Sequence, residues 1–277
     1  MDSNMVSVVI PTYKRMGSTV EKAIKSVLSQ TYKNIEILVI DDNGDNKSVF
    51  SRDIREMLLR YPSVVYIALP KNSGACVARN EGIRAAKGEY IGFLDDDDIW
   101  HTDKIEKQML LMKGDVGFVY CGLDLHFEKD EKRVKKEAVI KKKPIECLLR
   151  KNYIGSTSCG LVKKSVAVES GMFDEKLKSG QDLDFWIRLI KTTKYDCVKD
   201  CLVEYTFYKS GTITRNYMNR LFSNIYIRKK YDSVFKKNVY LRILYRFKIV
   251  KAFFINRKIK EGLAYLFFGR VEKKYEI

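Results

Sequence analysis

A run of four carboxylates, residues 95–98 (DDDD), follows directly after the apolar pair Phe93 and Leu94. Like charges this close repel one another unless a cation compensates them. Mg²⁺ and Mn²⁺ prefer hard oxygen ligands, and Mg²⁺ usually takes one or two carboxylates together with the phosphates of its substrate. The run therefore predicts a site for a divalent metal ion, Mn²⁺ or Mg²⁺, and a diphosphate.

Three further side chains have the chemistry needed to bind a phosphorylated ligand that carries a base. The ring of Tyr13 could stack on the base, and Asp42 could accept a hydrogen bond from an imino N–H. Arg79 lies on or just before a predicted helix that is reached through a Gly-containing loop, which suits an anion. Each of these residues taken alone is equally well explained as a solvated surface side chain.

The elements that must position these residues alternate between strand and helix. Apolar runs at 6–10, 35–40, 64–68 and 90–94 predict strands, and helical spacing predicts helices at about 18–29, 48–60 and 75–86. This alternation favours right-handed βαβ units and a doubly wound α/β sheet covered on both faces. Ligands of such sheets bind beyond the carboxyl ends of the strands, where the polar residues above are expected.

The second half of the chain has a mixed pattern. Residues 116–127 and 156–162 predict strands, 182–191 predicts a helix, and the Lys-rich stretch 128–143 is either a solvated loop or a border of the entrance to the site. From Arg215 onward, apolar residues recur at helical spacing with basic residues elsewhere on the wheel, which predicts basic amphipathic helices. We therefore expect a catalytic domain at 1–214 and a helical extension at 215–277. The apolar positions that define the predicted helical face are Tyr240, Ile243, Leu244, Phe247 and Phe254.

The net charge of +17 is concentrated in this extension. Residues 215–277 carry 17 Lys and Arg against four acidic residues, or +13, which leaves +4 for the remainder. Such a segment predicts attachment to an anionic membrane surface. The alternative is that its aromatic residues pack on the catalytic domain or on a second subunit of a homo-oligomer.

The cysteine pattern and the start of the chain bear on the compartment. The six cysteines include no C-x-x-C pair, so neither a zinc site nor a disulfide framework is indicated. No basic segment followed by an apolar one opens the chain, and no 18-residue apolar run occurs. We expect a cytoplasmic protein whose extension can reach the inner face of the cell membrane.

Taken in order, seven segments resemble the signature blocks of family 2 glycosyltransferases. The resemblance spans residues 6 to about 214 and implies a GT-A fold, a nucleoside-diphosphate sugar donor and inversion at the anomeric carbon. The segments are 7–13 (SVVIPTY), 26–32 (SVLSQTY), 39–42 (VIDD), 72–82 (NSGACVARNEG), 88–100 (GEYIGFLDDDDIW), 171–175 (GMFDE) and 181–189 (QDLDFWIRL).

The resemblance also implies roles for single residues. Pro11, Tyr13 and Asp42 are expected around the uracil of a UDP-sugar, with Arg79 near the base and the phosphates. Within the family's D-x-D motif, Asp97 is the expected metal ligand, and Asp95 and Asp96 are expected to bind the donor.

The acceptor side of the same site is implied by the last segment. Asp182 matches the general base, and Trp186 and Gln181 are expected near the acceptor. Gln181 stands where the family often has Glu, which leaves Asp182 as the one carboxylate of that pair. Tyr208 stands where the family frequently has a histidine, and a tyrosine is a poor metal ligand.

Rival functions fit the sequence less well. A sugar nucleotidyltransferase needs a Gly-rich phosphate loop after the first strand, but the chain has no glycine between Pro11 and Gly17. A dinucleotide-dependent dehydrogenase would need the motif G-x-G-x-x-G, which this sequence lacks. A nucleic-acid-binding protein should carry its charge along a groove beside exposed rings. The charge of this chain lies instead on the predicted amphipathic helices, so we expect no nucleic acid as a partner. The expected acceptor is a saccharide, lipid-linked in surface polysaccharide synthesis or alternatively part of a glycoprotein.

Overall fold

The computed structural model describes residues 2–44, 48–128, 131–207, 217–269 and 275. In its first part strands and helices alternate as the sequence predicts, and the buried β-branched and apolar runs form the strands. The elements are β1 (Asp2–Thr12), α1 (Gly17–Leu28), β2 (Ile35–Asp41), α2 (Val49–Leu58), β3 (Val64–Ala68), α3 (Ala75–Ala85) and β4 (Gly88–Phe93).

The middle of the chain differs from the sequence prediction within two stretches, and it also contains elements where the sequence led to no prediction. The stretch 128–143 contains a strand paired with its predecessor, and 156–162 begins as a 3₁₀ turn, Thr157–Cys159, before its strand starts. The elements are β5 (Ile99–Trp100), α4 (Lys104–Leu111), β6 (Val116–Phe127), β7 (Lys132–Lys136), α5 (Pro144–Arg150), β8 (Gly160–Lys163), α6 (Lys164–Glu169), α7 (Gln181–Thr192) and β9 (Lys194–Phe207).

The described strands form one sheet in the order β3-β2-β1-β4-β8-β6-β9-β5, with β7 paired to β6. Strands β1 to β4 are mutually parallel, and β8 enters antiparallel between β4 and β6. Successive side chains of β1 pack into different core clusters, with Val9 in one and Val8 and Ile10 in the other. Both faces of the sheet are therefore covered, as a doubly wound arrangement requires.

The C-terminal extension is helical, as predicted, and part of it packs on the rest of the molecule. Its elements are α8 (Tyr217–Lys230), α9 (Asp232–Lys237), α10 (Val239–Ile255) and α11 (Ile259–Phe268). Apolar side chains from α8, α9 and α10, including Ile227, Phe235 and Tyr245, belong to the same buried cluster as the α7 residue Phe185. The expected boundary at 214/215 lies outside the described residues.

Polar contacts join α7 to the extension. Asp184 of α7 is fully buried, and it accepts a hydrogen bond from the Tyr231 hydroxyl at 2.7 Å. Lys230 Nζ lies 2.8 Å from the same carboxylate, and Arg188 Nε donates to it at 2.8 Å. The buried charge is therefore compensated by two cations. No described helix is long and apolar enough to cross a membrane.

Candidate active site

The carboxyl ends of β1, β2 and β4 meet at one edge of the sheet. The Asp42 N–H donates to the Thr12 carbonyl at 2.9 Å, and the Leu94 N–H donates to the Val9 carbonyl at 3.0 Å. The polar clusters that follow these strands are thereby brought together. The sequence prediction of a common site at these strand ends agrees with this arrangement.

Asp42 closes the loop that leads into α3. Its carboxylate accepts from the backbone N–H groups of Ser73 at 2.7 Å and Gly74 at 2.8 Å, and from the Asn72 side chain at 3.1 Å. Burial raises the pKa of Asp42, although these backbone hydrogen bonds oppose the rise. A carboxylate has about four acceptor positions, of which the described residues occupy three.

The other two residues of the expected base site lie at the end of β1. Pro11 is buried and lies opposite Ile40 of β2 in the sheet. Tyr13 is 44% exposed, with Lys14 Nζ 5.2 Å from its ring centroid. Tyr13 therefore presents a ring face that a planar base could cover.

Arg79 connects the carboxylate run to the start of α7. Its Nη2 donates to Asp95 Oδ1 at 2.6 Å, and its Nη1 donates to Gln181 Oε1 at 3.1 Å. The guanidinium also lies over the Phe173 ring, 5.4 Å from the centroid. Burial disfavours its charge, but the Asp95 carboxylate outweighs this effect and raises the pKa of Arg79. A fixed buried cation is thus held beside the run, and its Nε has no hydrogen-bond partner among the residues that the structure describes.

Arg15, in the loop after β1, holds the centre of the run. Its Nε donates to Asp96 Oδ1 at 3.2 Å, and its Nη2 pairs with Asp97 Oδ2. Burial and the neighbouring Asp97 raise the pKa of Asp96 to about 7, and burial with the charge of Asp95 raises the pKa of Asp97. The carboxylates are therefore crowded and only partly compensated by the Arg15 charge.

Asp98, the last residue of the run, is held by hydrogen bonds inside the protein. It is buried and accepts hydrogen bonds from the hydroxyls of Ser158 at 2.6 Å and Ser156 at 3.2 Å. Ser158 Oγ also accepts from the Asp95 N–H at 3.0 Å. Burial raises the pKa of Asp98 well above its ordinary value, so this side chain joins the run to the 3₁₀ turn.

Asp182 lies in the first turn of α7 and is oriented by two donors. Asn152 Nδ2 donates to its Oδ2 at 2.7 Å, and the Leu183 N–H donates to its Oδ1 at 2.8 Å. Burial raises the pKa of Asp182, while the Arg79 charge opposes the rise. A carboxylate with a raised pKa and a fixed orientation is suited to accept a proton.

The surroundings of Asn152 include two residues of interest on the acceptor side. Lys136 Nζ of β7 lies 3.3 Å from the Asn152 carbonyl oxygen, and burial lowers the pKa of this lysine. Trp186 is fully buried, stacks on Phe118 at 5.0 Å and donates from Nε1 to the Gly155 carbonyl at 3.2 Å. Its ring has no surface to offer an acceptor, which argues against the contact expected from the sequence. Trp186 instead supports the segment that holds Asn152.

The oxygen ligands near Asp97 suit a divalent metal ion in their chemistry. Among the described residues no group of three His, Cys, Asp or Glu side chains is arranged to enclose a metal ion. Mg²⁺ sites that are completed by substrate phosphates need one or two carboxylates, and the run contains carboxylates of this kind, with Asp97 the ligand expected from the sequence. Tyr208 lies outside the described residues.

Sequence reasoning missed two residues that organise the site. Arg15 follows the first strand closely, but its partners are 81 and 82 positions away in the chain. Asn152 lies in an irregular segment, 30 positions before Asp182, without any motif around it. No local signal could have assigned either role, because each depends on a contact between distant segments.

The comparisons with known proteins identify the family. Residues 7–171 match the family described as Glycosyl transferase family 2, which is more than half of the chain. The chain belongs to this family and is a glycosyltransferase. The family that was predicted from the sequence resemblance over residues 6 to about 214 is confirmed.

Individual relatives and solved structures agree with the family. A putative teichuronic acid biosynthesis glycosyltransferase of Bacillus subtilis, TuaG, is 29% identical over 206 residues, which cover 73% of this chain and 78% of that protein. A mannosyltransferase of Pyrobaculum calidifontis, solved with GDP-Man and Mn²⁺, matches with TM-score 0.63 and 17% identity over 94% of this chain and 74% of that one. S. aureus TarS 1–349, solved with UDP-GlcNAc, matches with TM-score 0.59 and 15% identity over 80% of this chain and 66% of that one. The expected GT-A fold is confirmed.

Proposed function

We propose that this protein is an inverting glycosyltransferase that moves a sugar from a nucleoside-diphosphate sugar to a hydroxyl of a saccharide acceptor. The proposed donor is a UDP-sugar. One observation carries the proposal. Arg79 bridges Asp95 and Gln181, so the carboxylate run and Asp182 border the same site. A donor held at the run therefore has its sugar near the carboxylate that accepts the proton.

The donor half of the proposal rests on the strand-end residues. Tyr13 offers an exposed ring to the base, and Asp42, three of whose roughly four acceptor positions are occupied by described residues, would accept an N–H of the base. Arg79 and Arg15 supply positive charge toward the diphosphate. The similar structures with UDP-GlcNAc and with GDP-Man and Mn²⁺ support a sugar-nucleotide donor.

Asp97 and Asp95 would hold the Mn²⁺ or Mg²⁺ ion. Such an ion acts as a Lewis acid that neutralises charge growing on the departing diphosphate. Asp96 is buried beside Arg15, and its role is to keep that guanidinium in place next to Asp97.

The proton leaves the acceptor toward Asp182. For inversion the acceptor hydroxyl attacks the anomeric carbon opposite the diphosphate, the bond from that carbon to the diphosphate oxygen breaks, and Asp182 takes the hydroxyl proton. Asn152 and the Leu183 N–H keep both carboxylate oxygens oriented during this transfer. Gln181 holds Arg79 on the donor side, so neighbouring residues of α7 serve the two substrates.

For the acceptor we propose a lipid-linked oligosaccharide of surface polysaccharide synthesis. The similarity to TuaG, whose name refers to teichuronic acid biosynthesis, supports a polysaccharide product. Lys136, beside Asn152, is placed to meet the acidic groups of such a chain. The enzyme would act in the cytoplasm on the inner face of the membrane. A glycoprotein glycan is the alternative acceptor.

A donor screen tests the proposal. The full chain is incubated with Mn²⁺ or Mg²⁺ and a panel of UDP- and GDP-sugars, and nucleoside diphosphate release is measured with and without oligosaccharide acceptors. We expect release with one nucleotide class, stimulated by acceptor, and a product of inverted anomeric configuration by NMR. Pyrophosphate in place of nucleoside diphosphate would instead indicate a nucleotidyltransferase.

A further inference from the structure

Helix α10 carries two apolar stripes on opposite sides. The inner stripe, Leu241, Tyr245, Ile249 and Phe253, is buried against the other helices and the catalytic domain. A helix that serves only to pack on a domain needs one such stripe. The second stripe, Tyr240, Ile243, Phe247 and Phe254, recurs at helical spacing and is exposed. The apolar face predicted from the sequence consists of these four residues and Leu244; Leu244 is partly buried against the core, whereas the other four are exposed.

Helix α11 extends the exposed stripe. Gly262 of α11 lies against Phe254, because a Cβ atom placed on this glycine would come within 2.6 Å of the Phe254 ring. This contact joins α11 to the end of the α10 stripe, and Leu263 and Phe267 of α11 are themselves exposed. We call Tyr240, Ile243, Phe247, Phe254, Leu263 and Phe267 the outer face; its members are between 42% and 70% exposed.

The charges beside the outer face have one sign. Helices α10 and α11 and the turn between them contain seven Lys and Arg residues and one acidic residue, Glu261. Several of the basic side chains are exposed, including Arg242, Lys251 and Lys260. Basic residues around an apolar face are typical of helices that lie in the interface of an anionic bilayer.

We infer that the outer face docks on an anionic lipid surface. Apolar side chains would enter the boundary between headgroups and acyl chains, while the basic residues meet lipid phosphates. A second copy of this chain fits less well, because an isologous contact would place the same cations against each other. Since no described helix can cross a bilayer, the helices would lie along its surface.

Vesicle binding by the full chain tests the inference. Sedimentation with phosphatidylcholine vesicles is compared with and without phosphatidylglycerol, at about 0.01 M and about 1 M salt, because salt shortens the Debye length from about 30 Å to about 3 Å. We expect binding to the anionic vesicles that salt weakens but does not abolish. No binding to anionic vesicles would overturn the inference.

Matched variants locate the surface. The triple variant Ile243→Gln, Phe247→Gln and Phe267→Gln should lower the partition coefficient about tenfold or more. The control, Leu59→Gln, Leu110→Gln and Val168→Gln, removes three apolar side chains that are equally exposed elsewhere and should bind as the wild type does. Equal binding by both variants would contradict the assignment.

A second variant tests the contribution of the basic residues, and a mass measurement distinguishes a lipid surface from a second copy of this chain. Lys251→Gln with Lys260→Gln should lower binding to anionic vesicles while leaving the melting temperature unchanged, because both side chains are exposed. Light scattering should give the same mass for the wild type and the outer-face variant. A dimer that this variant dissociates would assign the outer face to a second copy and overturn the lipid proposal. None of these readouts depends on sugar transfer, so they stand apart from the proposed activity.

Discussion

Replacing Asp182 by Asn removes the proposed base with little change in shape. The Leu183 N–H, 2.8 Å from Oδ1, and Asn152 Nδ2, 2.7 Å from Oδ2, are both donors. An amide can accept from only one of them, so the variant faces a second donor whichever way it turns. We expect a local cost of about 1–3 kcal/mol in the free energy of unfolding.

The effect on catalysis should be larger than the effect on donor binding. General bases contribute about 10²–10⁴ to rates, which is about 2.7–5.5 kcal/mol in the activation barrier. UDP affinity should stay within about threefold, because the Arg79 contacts with Asp95 and Gln181 remain. Nucleotide release at saturating substrates gives kcat, and calorimetry gives the affinity for UDP.

The pH profile adds an independent readout. A base works only when ionised, and burial raises the pKa of Asp182. The wild-type rate should therefore fall with decreasing pH at values above the ordinary range for aspartate, and the residual rate of the variant should lack this limb. Asp115→Asn makes the same charge change at an exposed ion pair with Lys194 and serves as the control. More than a tenth of wild-type kcat in Asp182→Asn, about 1.4 kcal/mol or less, would refute the role of Asp182.

Three further predictions concern the supports of the site and the core. Asn152→Ala should lower kcat about tenfold with little change in the donor KM, and it should move the acidic limb to higher pH, because it removes a hydrogen bond that favours the ionised form of Asp182; an unmoved limb would mean that Asn152 does not act through Asp182. Gly82→Ala should lower the free energy of unfolding by about 1–3 kcal/mol in urea titrations, because the added Cβ would lie 2.2 Å from Val9 Cγ1; unchanged stability would disprove that close packing. Burial lowers the pKa of Lys104 to about 8 from 10.5, so between these pH values the unfolded chain binds more protons than the folded protein. The free energy of unfolding of the wild type, relative to that of Lys104→Met, should therefore rise with pH by up to about 1.4 kcal/mol per pH unit. A difference that stays constant with pH would contradict the lowered pKa.

The parts of the fold that the sequence predicted are those controlled by local patterns. The buried runs that form β1, β2 and β4 are continuous and apolar, and polar residues mark the strand ends, acidic ones after β2 and β4 and the basic pair Lys14 and Arg15 after β1. Strand β7 is different, because Lys132–Lys136 is almost entirely basic and has no alternating pattern. The segment is a strand because its backbone pairs with β6, and its side-chain pattern does not predict this pairing. Lysine is common on exposed strands of this kind, where it discourages further pairing.

The site shows the same division between local and distant information. The D-x-D run and Asp182 lie in recognisable segments, whereas Arg15 and Asn152 gain their roles from contacts across 82 and 30 positions. Helix α10 adds a third case. Its sequence has apolar residues on two sides, and the choice of which side is buried depends on Tyr245 and Phe253 meeting partners from other elements.

The buried Asp184 limits how this enzyme can be recombined with its relatives. Its charge is balanced by Arg188 from the same helix and by Lys230 from the extension, with Tyr231 as a further donor. A chimaera that keeps α7 but takes its C-terminal helices from another glycosyltransferase would lose Lys230 and Tyr231 together. Removing one partner from a buried ion pair costs about 3–5 kcal/mol. A functional exchange of C-terminal segments therefore has to carry the residue at position 184 along with the helices, so the unit of exchange is larger than the extension itself.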